Sequence, residues 1–181
     1  MLHKALQASG SDPAVQERLE DVEILRKKRQ LAAMEKRTES EQTAEAQQLA
    51  QQLRSDLDRF EWEVFLARSQ RSPKDLEIKY QLGLRLKRLD KLREAVQCLE
   101  ASGQLPERRA ASYLELGECW QRLRQYGKAV DFYRHAAEAC SSEQADLMKL
   151  ALYRGGVLAA GLHNVESART LLSQLVKIDP R

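Results

Sequence analysis

The chain has 181 residues, of which 31% are charged and only 6% aromatic, with eight glycines and four prolines. That composition suits long solvated helices and argues against a β-rich domain. The formal net charge is +3 with both signs interleaved along the chain, too balanced a distribution to be a nucleic-acid footprint by itself.

In chain order, Met1 to Gly10 reads as a short amphipathic piece, and residues 1–12 as the end of a preceding helix such as a truncated repeat would leave. Ser9-Gly10-Ser11 halts it, and Asp12 caps a new helix with Pro13 at its first position. From Ala14 to about Arg37 there is no glycine or proline, and Val15, Leu19, Val22 and Leu25, then Ile24, Leu31 and Met34, recur at three- and four-residue steps. No large apolar side chain appears between Met34 and Leu49, which leaves nothing to bury for nearly three turns and predicts a joint near Thr38 to Thr43. A second helix is expected from about Gln42 to Ser69, with Ala46, Leu49, Leu53, Leu57, Phe60 and Val64 on one face, ended by Ser72-Pro73. Residues 13–72 should therefore form a long antiparallel helical hairpin or coiled-coil arm. Broken heptads argue against a continuous coiled coil that dimerises.

Residues 73–181 carry one spacing pattern three times, over about 76–109, 110–143 and 149–181. The fullest version reads Tyr113, Leu116-Gly117, Trp120, Tyr126, Ala129, Tyr133, Ala136. Large and very small side chains alternate at helical spacing, so two antiparallel helices approach closely only where bulk is absent. The preceding version has Leu82-Gly83, Leu86, Leu92, Ala95 and Leu99, with Lys79 for the first aromatic and Ser102 for the last alanine. The following one has Leu152, Gly155-Gly156, Ala159, Val165, Ala168, Leu172 and Leu175. In all three the glycine precedes its alanine by twelve residues, yet the glycines lie 34 and then 39 residues apart. The five extra residues fall around Cys140 to Asp146 and should lengthen the following helix or the connection. An array stopping at Pro180-Arg181 would lack a polar capping helix, as a truncated chain would.

This pattern resembles the tetratricopeptide-repeat (TPR) family. The expected fold is all-α, a helical hairpin arm followed by a right-handed superhelical solenoid of three repeats. The whole resembles bacterial proteins that join a coiled-coil arm to such repeats, some of them envelope assembly factors, although those carry export signals and no such signal is evident here. In that family the first helix of each repeat lines a concave groove. The resemblance places Tyr80, Leu84, Lys87 and Arg88 there in the first repeat, and Leu114, Glu118, Gln121 and Arg122 in the second. Leu150, Tyr153, Val157 and Ala160 continue it in the third, with Arg154 alone carrying a residue of the carboxylate-clamp type. A groove with an apolar floor and charged edges suits an amphipathic helix or extended peptide rather than a chaperone tail.

Nothing in the sequence assembles a catalytic set. His3, His135 and His163 lie in separate segments with no second ligand at metal spacing. Gly155-Gly156 has no preceding strand and no following Lys-Ser/Thr, so helix packing accounts for it better than a phosphate loop. Cys98, Cys119 and Cys140 lack paired spacing and read as small buried side chains in a reducing compartment, although Cys119 beside Trp120 has a reactive-thiol reading. Two basic clusters stand out: Arg26-Lys27-Lys28-Arg29, and Arg85, Lys87, Arg88, Lys91 and Arg93. Each is a solvated helix surface or a contact for an acidic partner. With no apolar run of membrane-spanning length, the chain is expected to be cytoplasmic.

The function expected is a non-catalytic scaffold for protein or peptide partners, without metal or cofactor, with self-association through the arm left open. A nucleic-acid-associated or regulatory adaptor using Arg26 to Arg29, although the balanced charge argues against nucleic acid as the partner, and an accessory subunit of a larger enzyme or envelope assembly, are the alternatives.

Overall fold

Among residues 12–179, which the computed structural model describes, every regular element is helical. The expected amphipathic piece at Met1 to Gly10 and the terminal Pro180 lie outside the described residues. The chain divides into two units at Ser72/Pro73.

The first unit is two long helices, α1 (Pro13–Glu41) and α2 (Ala44–Arg71). Asp12 accepts a hydrogen bond from the Ala14 amide at 2.9 Å, and Pro13 occupies the first helical position, where its missing N–H costs nothing. The polar gap holds the break: Gln42 takes a left-handed conformation (φ 50°), and Thr43 caps α2 through the Ala46 amide. Ion pairs Glu20–Arg68 (2.8 Å), Lys28–Glu61 (2.7 Å) and Glu35–Arg54 join the two helices. Residue numbers rise along one helix as they fall along the other, so the pair is antiparallel.

The buried stripe differs from the one the apolar periodicity predicts. Ile24, Leu31 and Met34 meet Ala46, Ala50, Leu57 and Val64, while Val22, Leu25 and Leu49 are 51%, 49% and 45% exposed. Glu61 (0% exposed) and Arg68 (8%) stand in the stripe instead. Both are tolerated there because each has a charge partner: Glu61 meets Lys28, and Arg68 donates to Glu20, to Asp21 at 2.7 Å and to the Glu17 carbonyl at 2.8 Å. A reading by hydropathy assigns such residues to the surface and rotates the helix accordingly.

The second unit contains α3 (Leu76–Arg88), α4 (Leu92–Ser102), α5 (Pro106–Arg122), α6 (Tyr126–Glu138), α7 (Ala145–Gly161) and α8 (Val165–Ile178). They pack as hairpins α3/α4, α5/α6 and α7/α8, with α4 laid on α5 and α6 on α7. The first helices of successive hairpins also touch, α3 with α5 and α5 with α7. They form an inner layer, with α4, α6 and α8 outside it, which is how a stack of helix pairs acquires curvature.

Each hairpin closes on the same contact. A Cβ built on Gly83 would lie 2.8 Å from Leu99, one on Gly117 2.6 Å from Tyr133, and one on Gly156 2.6 Å from Leu172. The large partner is sixteen residues after the glycine every time. Ala95, Ala129 and Ala168, one helical turn earlier, are also buried. Each hairpin turn repeats as well: Asp90, Arg124 and His163 are left-handed (φ 61°, 59° and 58°), and the following amide bonds back to Leu86, Trp120 and Ala159 at 2.9 Å. The five extra residues do not lengthen α7, which has 17 residues like α5. Two extend α6 relative to α4, and three join the connection to α7, where Ser142–Gln144 form a 3-10 turn capped by Ser141. Ser102, where the pattern has alanine, is fully buried and shares a 2.8 Å hydrogen bond with Ser112, so its hydroxyl is satisfied across the α4–α5 joint.

The same substitution should act in opposite directions at two glycines. Gly117→Ala drives a methyl into the buried Tyr133 ring and should destabilise by about 1–3 kcal/mol. Gly127→Ala meets nothing within 4 Å in α6 and should stabilise by about 0.4–1 kcal/mol. Ala129→Leu, at a fully buried position, should also cost about 1–3 kcal/mol. Urea unfolding of the three variants checks the pairing, and equal midpoints would contradict it.

Candidate functional site

The inward helices bring five of the ten sequence-selected groove residues to one place. Glu118 and Arg122 from α5 and Tyr153, Arg154 and Val157 from α7 line a cavity of ≈ 850 Å³, together with Gln121, Tyr126 and Leu162. Its floor is apolar and open: Tyr153 is 55% exposed, Val157 48%, Leu162 41% and Tyr126 38%. Below it lies fully buried Tyr133, whose hydroxyl donates to Gln121 Oε1 at 2.8 Å. Burial pushes the Tyr133 phenol up from its ordinary range, so it stays protonated as a donor.

The charges at the rim are tied to one another. Glu118 pairs with Arg154 of α7 and, at 2.6 Å, with Lys87 of α3, which also pairs with Glu115. Arg122 donates to Asp90 at 2.7 Å and to the Lys87 carbonyl at 2.9 Å. One carboxylate thus bridges cations from the hairpins on both sides. These links fix the spacing of the inner layer and leave the aliphatic and aromatic side chains as the accessible part of the cavity.

The remaining selected residues are placed differently. Leu114 is only 7% exposed and belongs to the core among Ala129, Val130 and Leu152, so it does not form groove floor. Tyr80 is 8% exposed, with the Arg108 guanidinium 5.1 Å from its ring centre. Arg108 in turn holds Glu77 through two hydrogen bonds of 2.6 and 2.9 Å. Leu84 is half-buried, Lys87 is occupied by its two carboxylates, and Arg88 is exposed outside the cavity. Leu114 and Tyr80, which the resemblance places on the inward face, are covered by neighbouring side chains, a depth that spacing along one helix does not record. Tyr126 and Leu162 enter the cavity from an α6 start and a hairpin turn. Tyr126 carries the signal of a signature aromatic, which reads as packing, and Leu162 has no signal beyond being apolar beside a turn.

The Arg26 to Arg29 run does not act as one patch. Lys28 reaches Glu61, and Lys27 lies 5.0 Å from the Phe60 ring centre, which leaves Arg26 and Arg29 directed outward. Of the histidines, His135 lies tilted against the Tyr113 ring with centroids 6.0 Å apart, His163 holds a left-handed turn, and His3 lies outside the described residues. Among the described residues, no group of three or more His, Cys, Asp or Glu could hold a metal ion, and no helix is long and apolar enough to cross a membrane. Cys119 is fully buried, and burial pushes its thiol up to about 11, the reverse of an activated thiol.

No protein-family model matches the sequence. No curated protein matches it significantly either. Solved structures do match in shape. MamA superposes with a TM-score of 0.60 at 14% identity, over 97% of this chain and 93% of its own. YrrB, a TPR protein with an unusual peptide-binding site, superposes with a TM-score of 0.60 at 21% identity, over 99% of this chain and 92% of its own. The fold is that of a TPR solenoid, all-helical as the repeated spacing predicts.

At pH 8 the raised Cys119 thiol should stay protonated and shielded. Iodoacetamide labelling followed by mass spectrometry should modify Cys119 only after denaturant is added. Native-state labelling at the denatured rate would remove it from the core.

Proposed function

We propose that this chain is a non-catalytic scaffold that holds a peptide or a helix of another protein in the concave groove between α5 and α7. The observation carrying this reading is the ≈ 850 Å³ cavity, whose exposed Tyr153, Val157, Leu162 and Tyr126 stand beside a self-neutralised ionic rim. Exposed aromatic and aliphatic side chains on a rigid concave face lose hydration without losing much side-chain entropy when a ligand covers them. Because Glu118 already has two cations and Arg122 a carboxylate, ligand charge adds little there, and apolar anchors of the ligand supply most of the affinity. Arg154, the one clamp-type cation, faces Glu118, which disfavours capture of a terminal carboxylate. The likeness to YrrB, a TPR protein with an unusual peptide-binding site, supports a peptide as the kind of partner. No step of the reading requires a metal or cofactor.

A library of short random peptides displayed on phage and selected on the full chain tests it. Enriched peptides should carry aliphatic or aromatic anchors. Tyr153→Ala combined with Val157→Ala should weaken their binding about tenfold or more, as removal of two anchors costs at least ~1.4 kcal/mol. Helicity should persist, since both side chains are about half exposed. Enriched peptides that bind the double variant unchanged would place the site elsewhere.

A further inference from the structure

The outer face of α1 is a second candidate surface, independent of the groove. At about 100° per residue, Arg18, Val22, Arg26, Arg29, Ala33 and Lys36 fall within about 50° of one line along the helix. Leu25 lies beside them. Val22 and Leu25 are 51% and 49% exposed, and with Arg26, Arg29 and Ala33 they line one shallow hollow. Each acidic residue of α1 lies about 90° or more round the helix from this line. Several are occupied on the side towards α2: Glu20 and Asp21 hold Arg68, and Glu35 holds Arg54. Lys27 and Lys28 turn towards α2 as well. What remains outside is a face of a single sign, whose cations Arg18, Arg26, Arg29 and Lys36 have no carboxylate partner among the described residues.

We infer that this face docks an acidic amphipathic helix of another protein, laid along α1 as a third helix beside the hairpin. Two features select that occupant. The apolar residues Val22, Leu25 and Ala33 sit at three- and eight-residue steps, the spacing with which one helix receives the side chains of another. The flanking cations span roughly 27 Å of helix at 1.5 Å per residue, and they match carboxylates at the borders of such a partner's apolar stripe. A phosphate backbone would pair with the arginines and leave Val22 and Leu25 against a polar strand. An anionic membrane would find two large aliphatic side chains and no aromatic to insert. A second copy docked face to face would oppose cations with cations.

The test uses the full chain and two designed helical peptides with leucine at the contact positions, one flanked by glutamate and the other by lysine. Fluorescence anisotropy at low and moderate salt reads binding. The glutamate peptide should bind at least about tenfold more tightly than the lysine peptide, more weakly as salt rises. Arg26→Glu with Arg29→Glu should reverse that preference, and Tyr153→Ala with Val157→Ala should leave it unchanged, which separates this face from the groove. Both arginines are exposed and unpaired, so circular dichroism of the reversed variant should match the parent. Equal binding of both peptides, or glutamate-peptide binding that survives the reversal, overturns the proposal. So does tighter binding to a 20-base-pair DNA duplex or to phosphatidylserine vesicles that the reversal abolishes, which would make the face a general anion surface. Concentration-dependent dimerisation lost in the reversed variant would assign it to a second copy and also overturn the proposal.

Discussion

The second unit depends on three helix crossings at which one side chain is reduced to a hydrogen atom. Gly83 against Leu99, Gly117 against Tyr133 and Gly156 against Leu172 allow the two helices of each hairpin to approach until a large side chain rests on bare backbone. Close packing makes such an approach selective, because an extra methyl there has no space to occupy without moving a buried ring or branched chain. Repeating one crossing three times repeats one hairpin geometry. The stack's inner layer, and any concavity it presents, follows from that repetition.

On that inner layer, packing and charge have divided the work. Lys87, Glu118 and Arg154 come from three successive hairpins and neutralise one another across the joints, with Arg122 doing the same towards Asp90. These groups are partly solvated, so each pair contributes modestly to stability. Their arrangement sets which side chains of the cavity remain open to solvent: Tyr126, Tyr153, Val157 and Leu162, all apolar or aromatic. The groove is thus hydrophobic in what it offers although charged in its sequence.

The first unit solves a different problem with the opposite material. Its helices are too polar to bury a continuous apolar seam, and Glu61 and Arg68 occupy positions that leucine would take in a coiled coil. Paired in the interior with Lys28, Glu20 and Asp21, they give the two helices one register, since a slip would strand a charge. The same segregation drew the acids of α1 inward or sideways and left its outer face basic.

Periodicity and small-residue spacing, read alone, determined the helical class, the three-fold pattern and the break near Thr43. These are local properties, set by which side chains can share a helix face and by where caps and left-handed turns can form. Depth was decided only in three dimensions. Leu114 and Tyr80 read like Val157 and Tyr153, yet the first two are covered by neighbouring helices and the last two are not. Charge pairing was equally invisible: Lys28, Glu61, Arg68 and Lys87 look like solvated surface until partners 28 to 48 residues away are brought beside them. A sequence records what each residue can bury or pair with, whereas exposure and neutralisation depend on which distant residue arrives, and that is a property of the packed chain.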